Sequence, residues 1–199
     1  MKVPCNHAGI LAAATIIKNG GVVAFPTDTV YGIGCDPYNK KAVKKIYKIK
    51  GRKAEKQLPV LGFSIFDISK IAEFDDHSRK LASKYWPGPL TLVLPLKDER
   101  IAEALGLEGK IAVRIPDHPC VFALLKECKL LVGTSANRSG QKAASNATEL
   151  MEGLSGYDLL LDGGEILNPV ESTIVEVTKK GLHILRIGKV SEKELLGTV

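Results

Sequence analysis

Apolar positions near the start of the chain recur at helical spacing: Ile10, Leu11, Ala14 and Ile17 form one stripe. Asn6 stands ahead of them as a cap, and Gly20-Gly21 closes the run, so a helix is predicted over roughly residues 8–18. Gly21 to Phe25 then reads as a short buried strand, Pro26 to Thr29 as a break, and Val30 to Cys35 as a second strand. Asn39 caps a helix from Lys40 to about Ile49 whose buried face is Val43, Ile46 and Tyr47. Leu58 to Gly62 is a strand. Ser64 with Asp67 opens a short helix, and another runs from Asp76 to Tyr85. Strands follow at Leu90 to Leu96, Lys110 to Ile115 and Leu130 to Thr134, with helices at Ile101 to Leu107 and Pro116 to Cys128 between them. In the last third, Asn146 to Met151 reads as a short helix and Leu159 to Leu161 as a strand. Thr173 to Val177 and Leu182 to Arg186 flank a hairpin turn at Lys179-Lys180-Gly181, and Ser191 caps a terminal helix. Helices alternating with buried strands, then a late hairpin, predict an α/β fold around one mixed sheet. Residues 1–199 read as a single domain.

Composition adds bounds. With 199 residues, 45% hydrophobic and 25% charged, the chain has the make-up of a globular domain. No apolar run approaches the ~20 residues of a membrane span. Met1 to Ile10 lacks the order of a signal peptide, so a cytoplasmic protein, mature as written and without a membrane role, is expected. Cys5, Cys35, Cys120 and Cys128 include no CxxC pair, which speaks against a disulfide framework. The four histidines show no zinc spacing. No metal held by the protein is expected, although Mg²⁺ carried in by a phosphate substrate stays open.

Charge is distributed unevenly. Lys40 to Lys56 holds nine Lys or Arg and a single acid, Glu55, a formal +8 in a chain whose total is +6. Such a local field concentrates anions: nucleotide, pyrophosphate or RNA. Neither GxxxxGK[ST] nor GxGxxG is present, so any nucleotide site uses another arrangement, with polar stretches at strand ends as the candidates.

Those stretches each have two readings. Pro26-Thr27-Asp28-Thr29-Val30-Tyr31-Gly32 offers hydroxyls to a ligand, or is a turn with local hydroxyl caps. Lys50, Arg52 and Lys56 form an anion site, or a solvated basic helix end. Gly133-Thr134-Ser135-Ala136-Asn137-Arg138-Ser139-Gly140 is an anion-binding nest, or an Asx/ST turn. Arg114 and Arg186, inside apolar strands, face a cleft or a buried ionic partner. Ser172 and Thr173 begin a strand, where hydroxyls can face a ligand. Trp86 in Trp86-Pro87-Gly88-Pro89 reads as a packing anchor, and His77 and His118 as surface or capping residues. No Ser-His-Asp or Cys-His arrangement follows from local spacing.

Taken together, these stretches resemble the YrdC-like family of threonylcarbamoyl-adenylate synthases. The matching pieces are the 26–32 stretch, Lys50-Gly51-Arg52 with Lys56, Lys84-Tyr85-Trp86-Pro87-Gly88-Pro89-Leu90-Thr91, Val113-Arg114-Ile115-Pro116, the 134–140 stretch, Ser172-Thr173-Ile174-Val175 and Leu185-Arg186-Ile187-Gly188. The resemblance implies a single YrdC-like α/β domain, a twisted mixed sheet with flanking helices and a basic concave cleft. It implies synthesis of L-threonylcarbamoyl-adenylate and pyrophosphate from L-threonine, bicarbonate and ATP, with Mg²⁺ accompanying ATP. The product would serve a transferase complex that makes N6-threonylcarbamoyladenosine in tRNA. It further implies catalytic roles for Lys50, Arg52 and Lys56, a threonine pocket of Thr29, Tyr31, Arg52 and Ser172, and nucleotide contacts from Lys50, Arg114, Thr134, Ser135, Asn137 and Arg186. Gln57 stands where family members often carry proline, which affects the path of that loop. The alternative is a non-catalytic protein binding double-stranded RNA or tRNA through the basic run.

Overall fold

Among the described residues, eleven strands divide between two mixed sheets, and side-chain alternation along them decides which core each residue enters. The computed structural model describes residues 1–53, 56–178 and 181–198. In chain order the elements are β1 (Lys2–Pro4), α1 (His7–Lys18), β2 (Val23–Phe25), β3 (Gly32–Gly34), α2 (Lys40–Lys50), β4 (Val60–Gly62), α3 (Ile65–Ser69), α4 (Asp76–Tyr85), β5 (Leu90–Pro95) and α5 (Glu99–Leu105). They continue with β6 (Lys110–Arg114), α6 (Pro119–Cys128), β7 (Leu130–Val132), β8 (Thr134–Ser135), α7 (Ala147–Gly153), β9 (Leu159–Asp162), β10 (Thr173–Thr178), β11 (Gly181–Arg186) and α8 (Glu192–Leu196). The first sheet has the order β1-β9-β2-β3-β8 and the second β11-β10-β5-β6-β4-β7. Within the first, β9 runs parallel to both β1 and β2, whereas β3 is antiparallel to β2 and β8. The expected single mixed sheet is therefore two.

Between β7 and β8 the chain passes directly from the second sheet to the first. The strand expected over Leu130 to Thr134 breaks at Gly133: β7 pairs with β4 in the second sheet, and β8 pairs with β3 in the first. A Cβ at Gly133 would stand 2.4 Å from Leu61 Cδ1, so any larger residue at this crossing would displace Leu61 from its packing. On this frame Val23, Phe25, Leu61, Leu131, Leu159 and Leu161 pack with α1 and α6 in one core. Their sequence neighbours Val22, Ala24, Val60, Val132 and Leu160 enter the other core, with Ile46 of α2, Leu81 of α4 and Ile101 of α5.

Local signals held where the physics is local. Asn6, Asn39, Ser64, Asn146 and Ser191 all accept a backbone N–H as helix caps. Trp86 is 8% exposed; its indole N–H donates to the Leu90 carbonyl and its ring meets Phe74 edge-on. Other boundaries moved. α6 begins at Pro119, not Pro116, because His118 Nδ1 caps it by accepting from Cys120 N while Asp117 N donates to Asp28. β1 was unforeseen: three residues carry too little periodicity, and its pairing with β9 is non-local. The hairpin joining β10 and β11 is present, but Lys179 and Lys180 lie outside the described residues.

The expectation about cysteines is corrected. Cys5 and Cys120 form a disulfide across 115 residues of sequence, joining the segment after β1 to α6. Spacing could not show this, since the pairing of β1 with β9 brings Cys5 to the α6 face. Cys35 and Cys128 are free. Among the described residues no helix is long and apolar enough to cross a membrane.

Candidate functional site

A cavity of about 160 Å³ opens where the two sheets diverge. Its walls come from the loop after β2, the segment after α2, the ends of β5 and β6, the β7–β8 crossing, and the start of β10 with the end of β11. Thr29, Arg52, Arg114, Thr134, Ser135, Ser172 and Arg186 all line it, although sequence scatters them from position 29 to 186.

The loop after β2 is built by its own hydroxyls. Thr27 Oγ1 donates to the Val30 carbonyl at 2.7 Å, accepts from Val30 N at 3.3 Å and lies 2.9 Å from Thr29 Oγ1. Thr27 is thus a turn builder as well as a wall residue, and it sets Thr29 against the guanidinium of Arg114. Arg114 is 6% exposed. Its Nε donates to the Gly88 carbonyl at 2.9 Å, Nη1 to Thr29 Oγ1 at 3.1 Å, and Nη2 to Asp28 Oδ1. Burial lowers its pKa, and the Asp28 charge opposes that. Both readings of Arg114 therefore hold: it has a buried ionic partner, and it faces the cavity.

Arg186, at the end of β11, is anchored by the residues that lead into β10. Its Nε and Nη2 donate to the Ser172 carbonyl at 3.1 and 2.9 Å, Nη2 also to Ser172 Oγ at 3.2 Å, and Nη1 to Glu171 Oε2 at 2.7 Å. Ser172 Oγ lies 2.9 Å from Thr91 Oγ1, which ties β5 to β10 at the cavity wall.

The basic run resolves into different tasks. Lys50 is 2% exposed, and its ammonium donates to the carbonyls of Ser135 and Asn137 and, at 3.4 Å, to Asn137 Oδ1. Burial chiefly, and then the Arg52 charge, lower its pKa from 10.5 to about 8. Gly51 ends α2 at φ 56°, a left-handed conformation that suits glycine, and so turns Arg52 off the helix axis. Arg52 reaches the cavity while donating to the carbonyls of Lys56 and Gln57, both at 2.9 Å. Lys56 contributes that carbonyl, which also accepts from the Tyr47 hydroxyl at 3.2 Å, while its side chain is exposed. Lys40 pairs with Glu103 and Lys45 with Asp158. The +8 run is thus partly spent on internal contacts.

Tyr31, Lys50, Lys56 and Asn137 are not among the residues lining the cavity. Tyr31 is fully buried; its hydroxyl donates to the Gly164 carbonyl at 2.8 Å and accepts from Gly163 N at 3.2 Å. Asn137 accepts from Lys50 and donates to the carbonyls of Arg138 and Gln141, so its amide holds the turn together. The side chains of Tyr31, Lys50 and Asn137, and the backbone carbonyl of Lys56, brace the walls instead of forming them. Sequence reasoning missed Glu171, Gln57 and Thr91, which do line the cavity, and Asp28 as the partner of Arg114. The one available signal was a carboxylate placed directly before the Ser172-Thr173 strand start.

Known proteins resemble the chain over most of its length. The Sua5/YciO/YrdC family profile, described as "Telomere recombination", matches residues 15–188. A protein of Bacillus subtilis named threonylcarbamoyl-AMP synthase is 36% identical over 198 residues, covering 96% of this chain and 56% of that protein. One of the same name from Pyrococcus abyssi is 37% identical over 191 residues, covering 94% and 56%. The chain therefore spans about half the length of these relatives. The crystal structure of P. abyssi Sua5 complexed with L-threonine superposes with a TM-score of 0.89 at 34% identity, over 100% of this chain and 60% of that one. Escherichia coli YciO, at 24% identity and a TM-score of 0.82, shares the fold.

Proposed function

The chain belongs to the Sua5/YciO/YrdC family, and from that premise we propose that it joins L-threonine, bicarbonate and ATP into L-threonylcarbamoyl-adenylate, releasing pyrophosphate. The observation that carries this reading is the single cavity in which Arg52, Arg114 and Arg186 converge with the hydroxyls of Thr29, Thr134, Ser135 and Ser172. Guanidinium forks match carboxylate and phosphate oxygens, and the hydroxyls suit a small polar amino acid. A relative of the same fold has been crystallised with L-threonine.

In this reading the threonine ammonium first gives one proton to solvent, and the free amine then condenses with bicarbonate to give the N-carboxylate and water. A carbamate oxygen then attacks the α-phosphorus of ATP, the bond to the β-phosphate breaks, and pyrophosphate leaves. Catalysis is positioning plus stabilisation of charge on the phosphoryl oxygens. Arg52 and Arg186 supply that charge. Arg114, held by Asp28, presents a fixed cation beside Thr29. Lys50 acts through the Ser135–Asn137 turn that it holds. Mg²⁺ enters with ATP as part of the substrate. No covalent enzyme intermediate is needed. The adenylate would pass to a transferase complex acting on tRNA.

The deciding experiment incubates the chain with L-threonine, bicarbonate and Mg-ATP and looks for threonylcarbamoyl-adenylate by mass spectrometry. Product should vanish when threonine or bicarbonate is omitted. Folded protein that binds ATP and threonine yet forms no adenylate would overturn the proposal.

A further inference from the structure

We propose that Glu171 receives the α-ammonium group of the amino-acid substrate, and so decides that the cavity takes an amino acid instead of any small carboxylate. The assignment rests on the threonylcarbamoyl-adenylate reading and names a residue role within it.

Among the described residues that line the cavity, Glu171 is the sole carboxylate, set against the guanidiniums of Arg52, Arg114 and Arg186. Such a wall attracts the carboxylate and phosphates of the substrates, but it repels an ammonium group. An α-amino acid at neutral pH carries both charges, so a carboxylate in the wall favours it over a carboxylate ligand without the amine. Glu171 has that acceptor free. Its Oε2 accepts from Arg186 Nη1 at 2.7 Å, and Oε1 accepts from no group among the described residues.

The carboxylate is also held in place. Arg186 is fixed by its bonds to the Ser172 carbonyl, which leaves Nη1 directed at Glu171. The Glu171 carbonyl accepts from Lys189 N at 3.0 Å, so its backbone is pinned to the segment after β11. Its side chain is 43% exposed, so the carboxylate is accessible to an incoming ligand. The pair with Arg186 thus orients one oxygen and presents the other.

A purely structural role for Glu171, as partner of Arg186, makes a different forecast. Releasing Arg186 would alter the binding of every carboxylate ligand alike. Amine recognition affects only ligands that carry the amine. The test measures, by titration calorimetry, the affinity of L-threonine and of its analogue bearing a hydroxyl in place of the α-amine, for the unmodified protein and for Glu171→Gln. The unmodified protein should favour threonine over the analogue, and Glu171→Gln should cut that ratio roughly 10- to 100-fold, the scale of one charge-assisted hydrogen bond. Glu171→Ala serves as a second variant, and thermal melts establish that both are folded. A ratio unchanged in both variants overturns the proposal and leaves Glu171 as a support for Arg186 alone. If the unmodified protein binds neither compound, the threonine reading itself falls, and this assignment with it.

Discussion

Arg114, which lines the cavity, forms a largely buried ion pair with Asp28, 86 positions away in sequence. Asp28 Oδ1 takes both the Arg114 guanidinium and the backbone N–H of Asp117, while Oδ2 is buried with no partner. The aspartate thereby links the loop after β2, the end of β6 and the approach to α6.

Breaking such a pair leaves a buried guanidinium uncompensated. We expect Asp28→Asn to lower folding stability by about 3 kcal/mol, the usual cost of removing one partner of a buried pair. Asp28→Asn combined with Arg114→Met should cost less than the two single changes added together. Urea denaturation of the four proteins measures both effects. A single-variant loss below about 0.5 kcal/mol, the scale of an ordinary surface change, would show that the pair carries no such stress.

Lys50 ties stability to alkaline pH. The folded state releases its proton near pH 8, whereas the unfolded chain keeps it until about 10.5. Between those values the unfolded state binds more protons, so stability rises with pH, and the cost of burying the charge is felt fully below pH 8. We expect the unmodified protein to gain on the order of 2 kcal/mol relative to Lys50→Met between pH 8 and pH 10. Denaturation series at pH 7, 8, 9 and 10 report the difference, and parallel curves for the two proteins would exclude the effect.

Arg52 and Lys56 should separate in activity. The Arg52 guanidinium lines the cavity, while Lys56 offers a backbone carbonyl that any residue supplies. Arg52→Ala should cut pyrophosphate release about 100-fold, as expected for loss of one preorganised donor. Lys56→Ala should stay within about threefold, because an exposed charge is screened by solvent. Equal losses in both variants would return Lys56 to the chemistry.

The disulfide is countable. Unfolded without reductant, the protein should expose the thiols of Cys35 and Cys128 only, and after reduction those of all four cysteines. The bond closes a loop with a sequence separation of 115 residues. Replacing Cys5 and Cys120 together by serine should therefore cost about 2–4 kcal/mol. Four reactive thiols before reduction would contradict the pairing.

What the sequence determined by itself was local. Helix caps and the polar strand ends depend on residues within a few positions of one another, so pattern alone exposes them. The resemblance added the order of the motif stretches, and seven of the residues it implied line one cavity. Tertiary structure decided which side chains face that cavity and which support it. Lys50 and Arg52 are two positions apart, yet one is sunk against the Ser135–Asn137 turn and the other reaches the cavity. The same holds for the division of the strands between two sheets, the Asp28–Arg114 pair and the Cys5–Cys120 bond. Each depends on segments far apart in sequence meeting in space, which requires packing of the whole chain and leaves no periodic trace in any one segment.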